Sequence, residues 1–197
     1  MRQYVFYSRT GQTDSHFTSL YKAGRLDIVH ECIIAGFFQS HSIRKDVIFH
    51  AILNGPPNPP LHIQIDGETL YDVRTDQETW TKLLKNTLEG RPHPGITLNR
   101  ISYEALIKTK ARESAIYVLE EHGKNINETV IPENPLFIVG DHIGLPKVTE
   151  KFTLRYGEKL SIGKQPYLAA QCITILNYLQ DTRKTHIAGE NKELFSQ

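Results

Sequence analysis

Runs of apolar positions, separated by glycine, proline and charged clusters, divide the chain into segments of two periods. "RQYVFY" (Arg2–Tyr7) is rich in β-formers and ends at a glycine-containing turn, which predicts a strand. "GRLDIVHECIIAGFFQSH" (Gly24–His41) places Leu26, Val29, Ile33 and Phe37 on one helical stripe and Ile28, Cys32, Ala35 and Phe38 on another. A helix apolar on two sides is expected to be buried on two sides, by a sheet and by a partner. "DVIFHAIL" (Asp46–Leu53) is nearly continuous, the pattern of a central strand. "NGPPNPP" (Asn54–Pro60) breaks it, and "LHIQIDG" (Leu61–Gly67) alternates, which predicts a half-exposed strand.

"TDQETWTKLLKNTLEG" (Thr75–Gly90) opens on a capping signal and sets Trp80, Leu83, Leu84 and Leu88 on one helical face. After a second break at Gly90–Gly95, "ITLNRIS" predicts a short strand and "YEALIKTKAR" a short helix. "AIYVL" (Ala115–Leu119), "LFIVG" (Leu136–Gly140) and "EKLSIG" (Glu158–Gly163) are the last strands. "PYLAAQCITILNYLQD" (Pro166–Asp181) is a closing helix with Pro near its start and a stripe of Leu168, Cys172, Leu176 and Leu179. The polar tail from Lys184 is expected to fray. Strands and helices alternate, so the fold class is α/β with a mainly parallel sheet flanked by helices, in one substantial domain over residues 1–197 or a domain with a subdomain.

Composition narrows the setting. With 197 residues, the chain can bury about 70% of its unfolded surface without a disulfide framework. Cys32 and Cys172 are its two cysteines; both read as small buried hydrophobes, as expected of a reducing compartment. No apolar run reaches the roughly 18 residues of a membrane span, and the start lacks a signal-peptide core. These features place the chain in the cytoplasm, where the Asn127-Glu-Thr129 sequon has no role. Lys and Arg total 23 against 22 Asp and Glu, so global charge announces no nucleic-acid partner. Local basic clusters occur at Lys108–Arg112, Arg44–Lys45 and Arg183–His186, each of which alone reads as a solvated helix face.

Common catalytic signatures are missing. No G-x-G-x-x-G follows a strand, no G-x-S-x-G occurs, and "SIGKQ" shares only its Gly-Lys with a P-loop. The nine histidines lack metal-ligand spacing, so no metal site is expected. What remains is positional. Ligands of parallel sheets sit outside the carboxyl ends of the strands. Three late strand ends carry glycine and polar residues: Leu119–Gly123, Gly140–Gly144 and Leu160–Gly163. They are either three ordinary turns or, if adjacent, one pocket with room for close backbone approach.

Together, "NPLFIVGDHIGLP", "KLSIGKQPYLAAQCITILN" and the upstream "AGRLDIVHECIIAGFFQSHSIRKDVIFHAILNGPPNPP" resemble the archaeal tRNA pseudouridine-54 N1-methyltransferase family, of the SPOUT class. The resemblance runs over nearly the whole chain. It implies a parallel sheet whose C-terminal part, about residues 115–181, threads a loop as a deep trefoil knot, a topology that pattern reading alone would exclude. It implies S-adenosyl-L-methionine bound in the knotted loops, a tRNA substrate and a homodimer built around the first and last helices. By position it assigns cofactor contacts to Leu119, Gly140, the loop Ile162, Gly163, Lys164, Gln165, Pro166 and Tyr167, and Cys172. Where the family usually has Ser-Pro in that loop, this chain has Gly163-Lys164 and then Pro166.

The implied chemistry is methylation of N1 of pseudouridine, which must lose a proton as it attacks a sulfonium methyl. Asp27, which the resemblance places near the site, is the leading base or orienting group; its alternative is a helix N-terminal carboxylate. Asp141 is second, with a turn residue as its alternative. Arg25 and Arg44 are candidates for RNA phosphates or base carbonyls, against surface ion pairs of Arg25 with Asp27 or Arg44 with Asp46. His142 is structural or faces RNA. The target base is expected to leave its stack. Competing functions are a methyltransferase for rRNA or another RNA nucleotide, and a non-catalytic RNA-binding protein that keeps the pocket.

Overall fold

Seven strands form one sheet in the order β6-β5-β4-β1-β8-β7-β9 in the computed structural model, which describes backbone for residues 1–193 and side chains for residues 1–182. The basic cluster at Arg183–His186 lies outside the described side chains. The chain enters through β1 (Arg2–Ser8), buried at every position except Tyr7. A long loop leads to α1 (Leu26–Phe37), and a small hairpin of β2 (Phe38–Gln39) and β3 (Ser42–Ile43) follows. Then come β4 (Val47–Leu53), β5 (Leu61–Asp66), α2 (Gln77–Leu88), β6 (Ile96–Asn99) and α3 (Tyr103–Lys110). The C-terminal part holds β7 (Ala115–Asn125), β8 (Pro135–Gly140), α4 (Lys147–Thr153), β9 (Gly157–Ser161) and α5 (Ala169–Glu193).

The sheet is mainly parallel, as expected. β1 pairs in parallel with β4 and β8, and β7 with β8 and β9. Only β5 runs the other way, antiparallel to β4 on one side and to β6 on the other. Alternation along β1 divides the core. Tyr4 and Phe6 join the larger cluster with α1, α2 and α5, whereas Val5 joins Tyr103, Leu106 and Ile107 of α3 on the opposite face. Helices therefore cover both faces, which is why β1, β4 and β8 read as continuous apolar runs.

Several expectations are corrected. β5 is not half-exposed: its polar residue His62 is buried on the α3 face, hydrogen-bonded to His50 of β4 at 2.9 Å. β7 does not end at Leu119 but continues to Asn125 through a bulge. α5 starts at Ala169 rather than Pro166, and it continues past Asp181 to Glu193, through the stretch expected to fray. The second apolar side of α1 meets α5 of the same chain, where the Asn177 amide donates to Ala35 O at 3.0 Å and Gly36 O at 3.3 Å. The capping signal before α2 is real and resides in Asp76, whose carboxylate accepts from Thr79 N–H at 2.8 Å.

Candidate cofactor-binding active site

The carboxyl ends of β7, β8 and β9 converge on one cavity of about 620 Å³, closed on its other sides by the starts of α1 and α5. Each bend has a local cause. In β7, Leu119 and Lys124 both stand opposite Leu160, so residues 120–123 bulge out of the ladder. Gly123 permits this, because a Cβ there would lie 2.5 Å from the backbone of Leu160. After β8 the chain folds back on itself. Gly144 N–H donates to Asp141 O, and Ile143 N–H donates to the Asp141 carboxylate, both at 2.9 Å. A Cβ at Gly140 would lie 2.7 Å from backbone atoms of Gly144 and Leu145, so glycine is required by the returning loop itself. After β9, the Ser161 hydroxyl donates to Gly163 O at 3.0 Å and accepts from Gly163 N–H at 3.2 Å. The chain then enters α5, where Leu168 N–H donates to the Gln171 side chain at 2.9 Å.

Of the residues that the sequence singles out, Leu119, Gly140, Ile162, Gly163, Gln165, Tyr167 and Cys172 line this cavity, together with Asp141 and Arg25. Lys164, Pro166, Asp27 and Arg44 are not part of its lining. Asp141 acts as a turn residue: one carboxylate oxygen accepts from Ile143 N–H and the other from Arg9 N–H at 3.0 Å. The Arg9 side chain completes this tie by donating to Gly144 O at 3.0 Å. Arg44 sits in an ion-pair network rather than at the cavity. It bonds Asp181 at 2.7 Å, not Asp46; Asp46 instead pairs with Arg2 at 2.9 Å.

Arg25 and Asp27 pair with each other. Nε of Arg25 donates to Oδ1 at 3.0 Å and Nη2 to Oδ2 at 3.0 Å, a fork held at the first turn of α1. The guanidinium also lies 4.9 Å from the centre of the Tyr21 ring. This leaves Nη1 outside the pair, on a residue that forms part of the cavity wall. Burial pushes the Cys172 thiol up to about 11, so it stays protonated and packs as a small hydrophobe.

Residue-by-residue expectation missed the carboxylates of the wall. Glu31 of α1 and Glu120 and Glu121 of the bulge line the cavity. Partial burial, aided by the nearby Glu150 carboxylate, raises the Glu120 pKa above the ordinary carboxylate range. The pair "EE" marks the strand end in the sequence, but the bulge that turns it inward is a tertiary feature.

Fold and site define an α/β protein that holds a small molecule at the carboxyl ends of parallel strands. Residues 1–185 match the family model described as "Putative SAM-dependent RNA methyltransferase", and the chain belongs to that family. It is 31% identical over 196 residues to the tRNA (pseudouridine(54)-N(1))-methyltransferase of Thermococcus kodakarensis, spanning 92% of this chain and 99% of the relative. It is 32% identical over 202 residues to the Methanocaldococcus jannaschii protein of the same name, spanning 93% and 98%. Among solved structures, Archaeoglobus fulgidus Nep1 bound to S-adenosylhomocysteine superposes with a TM-score of 0.64 at 12% identity, over 89% of this chain and 94% of that one, a likeness of fold.

The cavity fits the family's cofactor, S-adenosylmethionine. Its volume lies within the roughly 300–1,000 Å³ of small-molecule sites. Apolar side chains of Leu119, Ile138, Val139 and Ile162 offer faces to an adenine ring. Glu31, Glu120 and Glu121 offer negative charge to a ligand that carries both a sulfonium and an ammonium group.

Proposed function

We propose that this enzyme transfers a methyl group from S-adenosylmethionine to N1 of pseudouridine in tRNA, at T-loop position 54. The observation that supports it most is the convergence of three C-terminal bends on one carboxylate-lined cavity with the Arg25 fork on its wall. The names of the archaeal relatives point to the same reaction.

The bound cofactor supplies an electrophilic methyl on a sulfonium. N1 of pseudouridine, unlike uridine's, carries a proton and can become the nucleophile. N1 must give up its proton to solvent to take the methyl group, and the loss of that proton puts negative charge on the ring and its carbonyl oxygens until the N1–methyl bond neutralises it. Nη1 of Arg25 is the donor on this chain suited to meet that charge, because Nε and Nη2 are already engaged by Asp27. Asp27 thus acts by positioning the guanidinium, with both oxygens occupied, rather than by taking the proton directly. Ile162, Gly163, Gln165 and Tyr167 of the third bend, with Leu119, Gly140 and Cys172, would hold the cofactor.

The same reading includes the threaded C-terminal segment, about residues 115–181. In its support, β7 lies between β8 and β9 in the sheet, and α5 returns from the edge strand to pack on α1. It also includes a cytoplasmic homodimer. The large side chains Leu168 and Tyr178 of the α5 segment are each 66% exposed, an apolar surface that a second copy would cover. Sedimentation should give twice the 22.5 kDa chain mass, and a monomer at micromolar concentration overturns the dimer.

The decisive test is mass mapping of nucleosides after incubating the protein and methyl donor with two tRNA transcripts, one carrying pseudouridine at position 54 and one uridine. Methyl should appear only on the first. Transfer to both, or to neither, overturns the assignment.

A further inference from the structure

The loop between β1 and α1 carries a second concavity, and we propose that it is an RNA subsite that grips a phosphodiester of the substrate outside the reacting nucleotide. The proposal rests on the RNA-methyltransferase reading and deepens it. The concavity is about 470 Å³ and is lined by Gln12, Ser15, His16, Phe17, Thr18 and Lys22 of the loop, with Lys85 of α2 opposite. Its lining includes lysine, hydroxyl and amide groups and no carboxylate.

Nearby acids are already engaged. Glu78 bonds Lys82 at 2.8 Å and Glu89 bonds Arg91 at 2.8 Å, on either side of Lys85 along its helix. Asp14 is turned onto its own loop, accepting from His16 N–H at 3.1 Å and lying against the Gln12 amide and the His16 ring. Lys85 instead lies 5.1 Å from the centre of the Phe17 ring. Among the described residues neither Lys22 nor Lys85 has a carboxylate within ion-pair distance. Two lysines without a carboxylate partner on one hollow, with the Ser15 and Thr18 hydroxyls between them, form an anion cradle.

The cradle is preformed and joined to the active site. Gln12 N–H bonds Ala23 O at 3.1 Å and Thr13 N–H bonds Pro56 O at 2.9 Å, which pins the loop against its own end and the β4–β5 connection. At one end of the loop, Arg9 is bonded to Asp141 and Gly144 of the cofactor cavity; at the other, Arg25 is on the cavity wall. A strand whose base enters the cavity can lay a neighbouring phosphate across this loop. A polyanion spread over several such points also accounts for RNA binding by a chain of net charge +1.

The test uses the full chain with Lys22 and Lys85 both changed, in one variant to Glu and in a second to Gln. A pseudouridine-bearing tRNA transcript is titrated over a salt series. The double Glu variant should bind the RNA about tenfold more weakly or worse at 0.1 M salt, and its slope of log affinity against log salt should shrink by about one to two. KM for RNA should rise, while kcat at saturating RNA, S-adenosylhomocysteine affinity and thermal midpoint stay near wild type. The Gln variant should move the same way by less. Wild-type transfer matched by both variants in KM and salt slope overturns the subsite alone. No transfer by wild type to any RNA overturns the functional reading beneath it. Binding of inorganic phosphate that both variants abolish, with RNA affinity unmoved, assigns the hollow to a free anion and also overturns the subsite.

Discussion

Acid should unfold this protein through two histidines in its core, well before most carboxylates are protonated. His50 of β4 and His62 of β5 are 0% and 2% exposed. Their bonds fix their protonation. His50 Nε2 faces Gln3 Oε1 at 3.2 Å, so it must carry a proton and donate. His50 Nδ1 is then an acceptor and takes the Nε2–H of His62 at 2.9 Å. The Gln3 amide passes the chain on to the Ser114 hydroxyl at 3.0 Å. Every member is neutral. An added proton must go to His62 Nδ1, which is buried with no partner among the described residues, or to His50 Nδ1, which would break the bond between the rings. Burial, with the Lys110 charge, holds His62 down at about 4, and burial with His62 itself holds His50 lower than a free imidazole. Above pH 6.5 both residues are neutral in folded and unfolded chains, and pH has no effect through them. Below it the unfolded chain takes up two protons that the folded one refuses, and stability falls as pH drops toward the folded values. Each histidine contributes a slope of about 1.4 kcal/mol per pH unit, so the pair removes about 5 kcal/mol between pH 6.5 and 4.5. Urea unfolding at half-unit steps over that range measures it. His62→Leu should halve the slope, at a cost at neutral pH of about 1–3 kcal/mol for the acceptor it leaves on His50. A wild-type stability that is flat from pH 6.5 to 5, or a His62→Leu slope equal to wild type, refutes this account.

Three other outcomes follow from the geometry. Gly140→Val should push the 144–145 backbone off β8 at a cost of about 1–3 kcal/mol, weakening S-adenosylhomocysteine binding by about tenfold to a hundredfold; calorimetry showing wild-type affinity would sink this. Asp27→Asn should free the Arg25 fork and lower kcat about tenfold with cofactor affinity unchanged; unchanged turnover removes Asp27 from the site. Asn177→Leu should cost about 3 kcal/mol or more in urea unfolding, because Asn177 Oδ1 accepts from Arg2 at 3.0 Å and Tyr4 OH at 2.8 Å, donors left buried without it; a loss under about 1 kcal/mol contradicts that role.

The strands and helices that bury a continuous face are legible from their period, as β1, β4, α1 and α2 illustrate. What stays hidden has physical reasons. β5 alternates, and alternation implies a wet face only if the polar residues meet water; here His62 and Gln64 stand on the face toward α3, where the His50–Gln3–Ser114 chain takes the Nε2–H of His62 without water. α4 has no apolar stripe to read. Its buried positions are Thr149 and Thr153, one turn apart, with the Thr153 hydroxyl bonded to Thr149 O at 2.8 Å and to Tyr103 OH at 2.7 Å. Arg44 looks like an RNA contact in the sequence because its partner Asp181 is distant along the chain and comes near only when α5 folds back on β1.

The two halves of the candidate site differ in what specifies them, and this explains why one is the more legible. The cofactor half is shaped by backbone: a bulge at 120–123, a return loop admitted by Gly140, and the bend after Ser161. Backbone features leave glycine and small polar residues in the sequence, so the three bends stand out from their residues alone. Such a site is also indifferent to many side chains. Lys164 and Pro166 are not on the cavity wall, so the departure from the family's Ser-Pro in this loop does not reach the wall through those side chains. The RNA half is shaped by charge. In the proposed RNA half, Lys22 and Lys85 have no carboxylate within ion-pair distance among the described residues, and Arg25 keeps only Nη1 outside its pair with Asp27. No local pattern encodes the absence of a partner, so a chain balanced at 23 basic and 22 acidic residues conceals its basic surface until the acids are seen paired elsewhere.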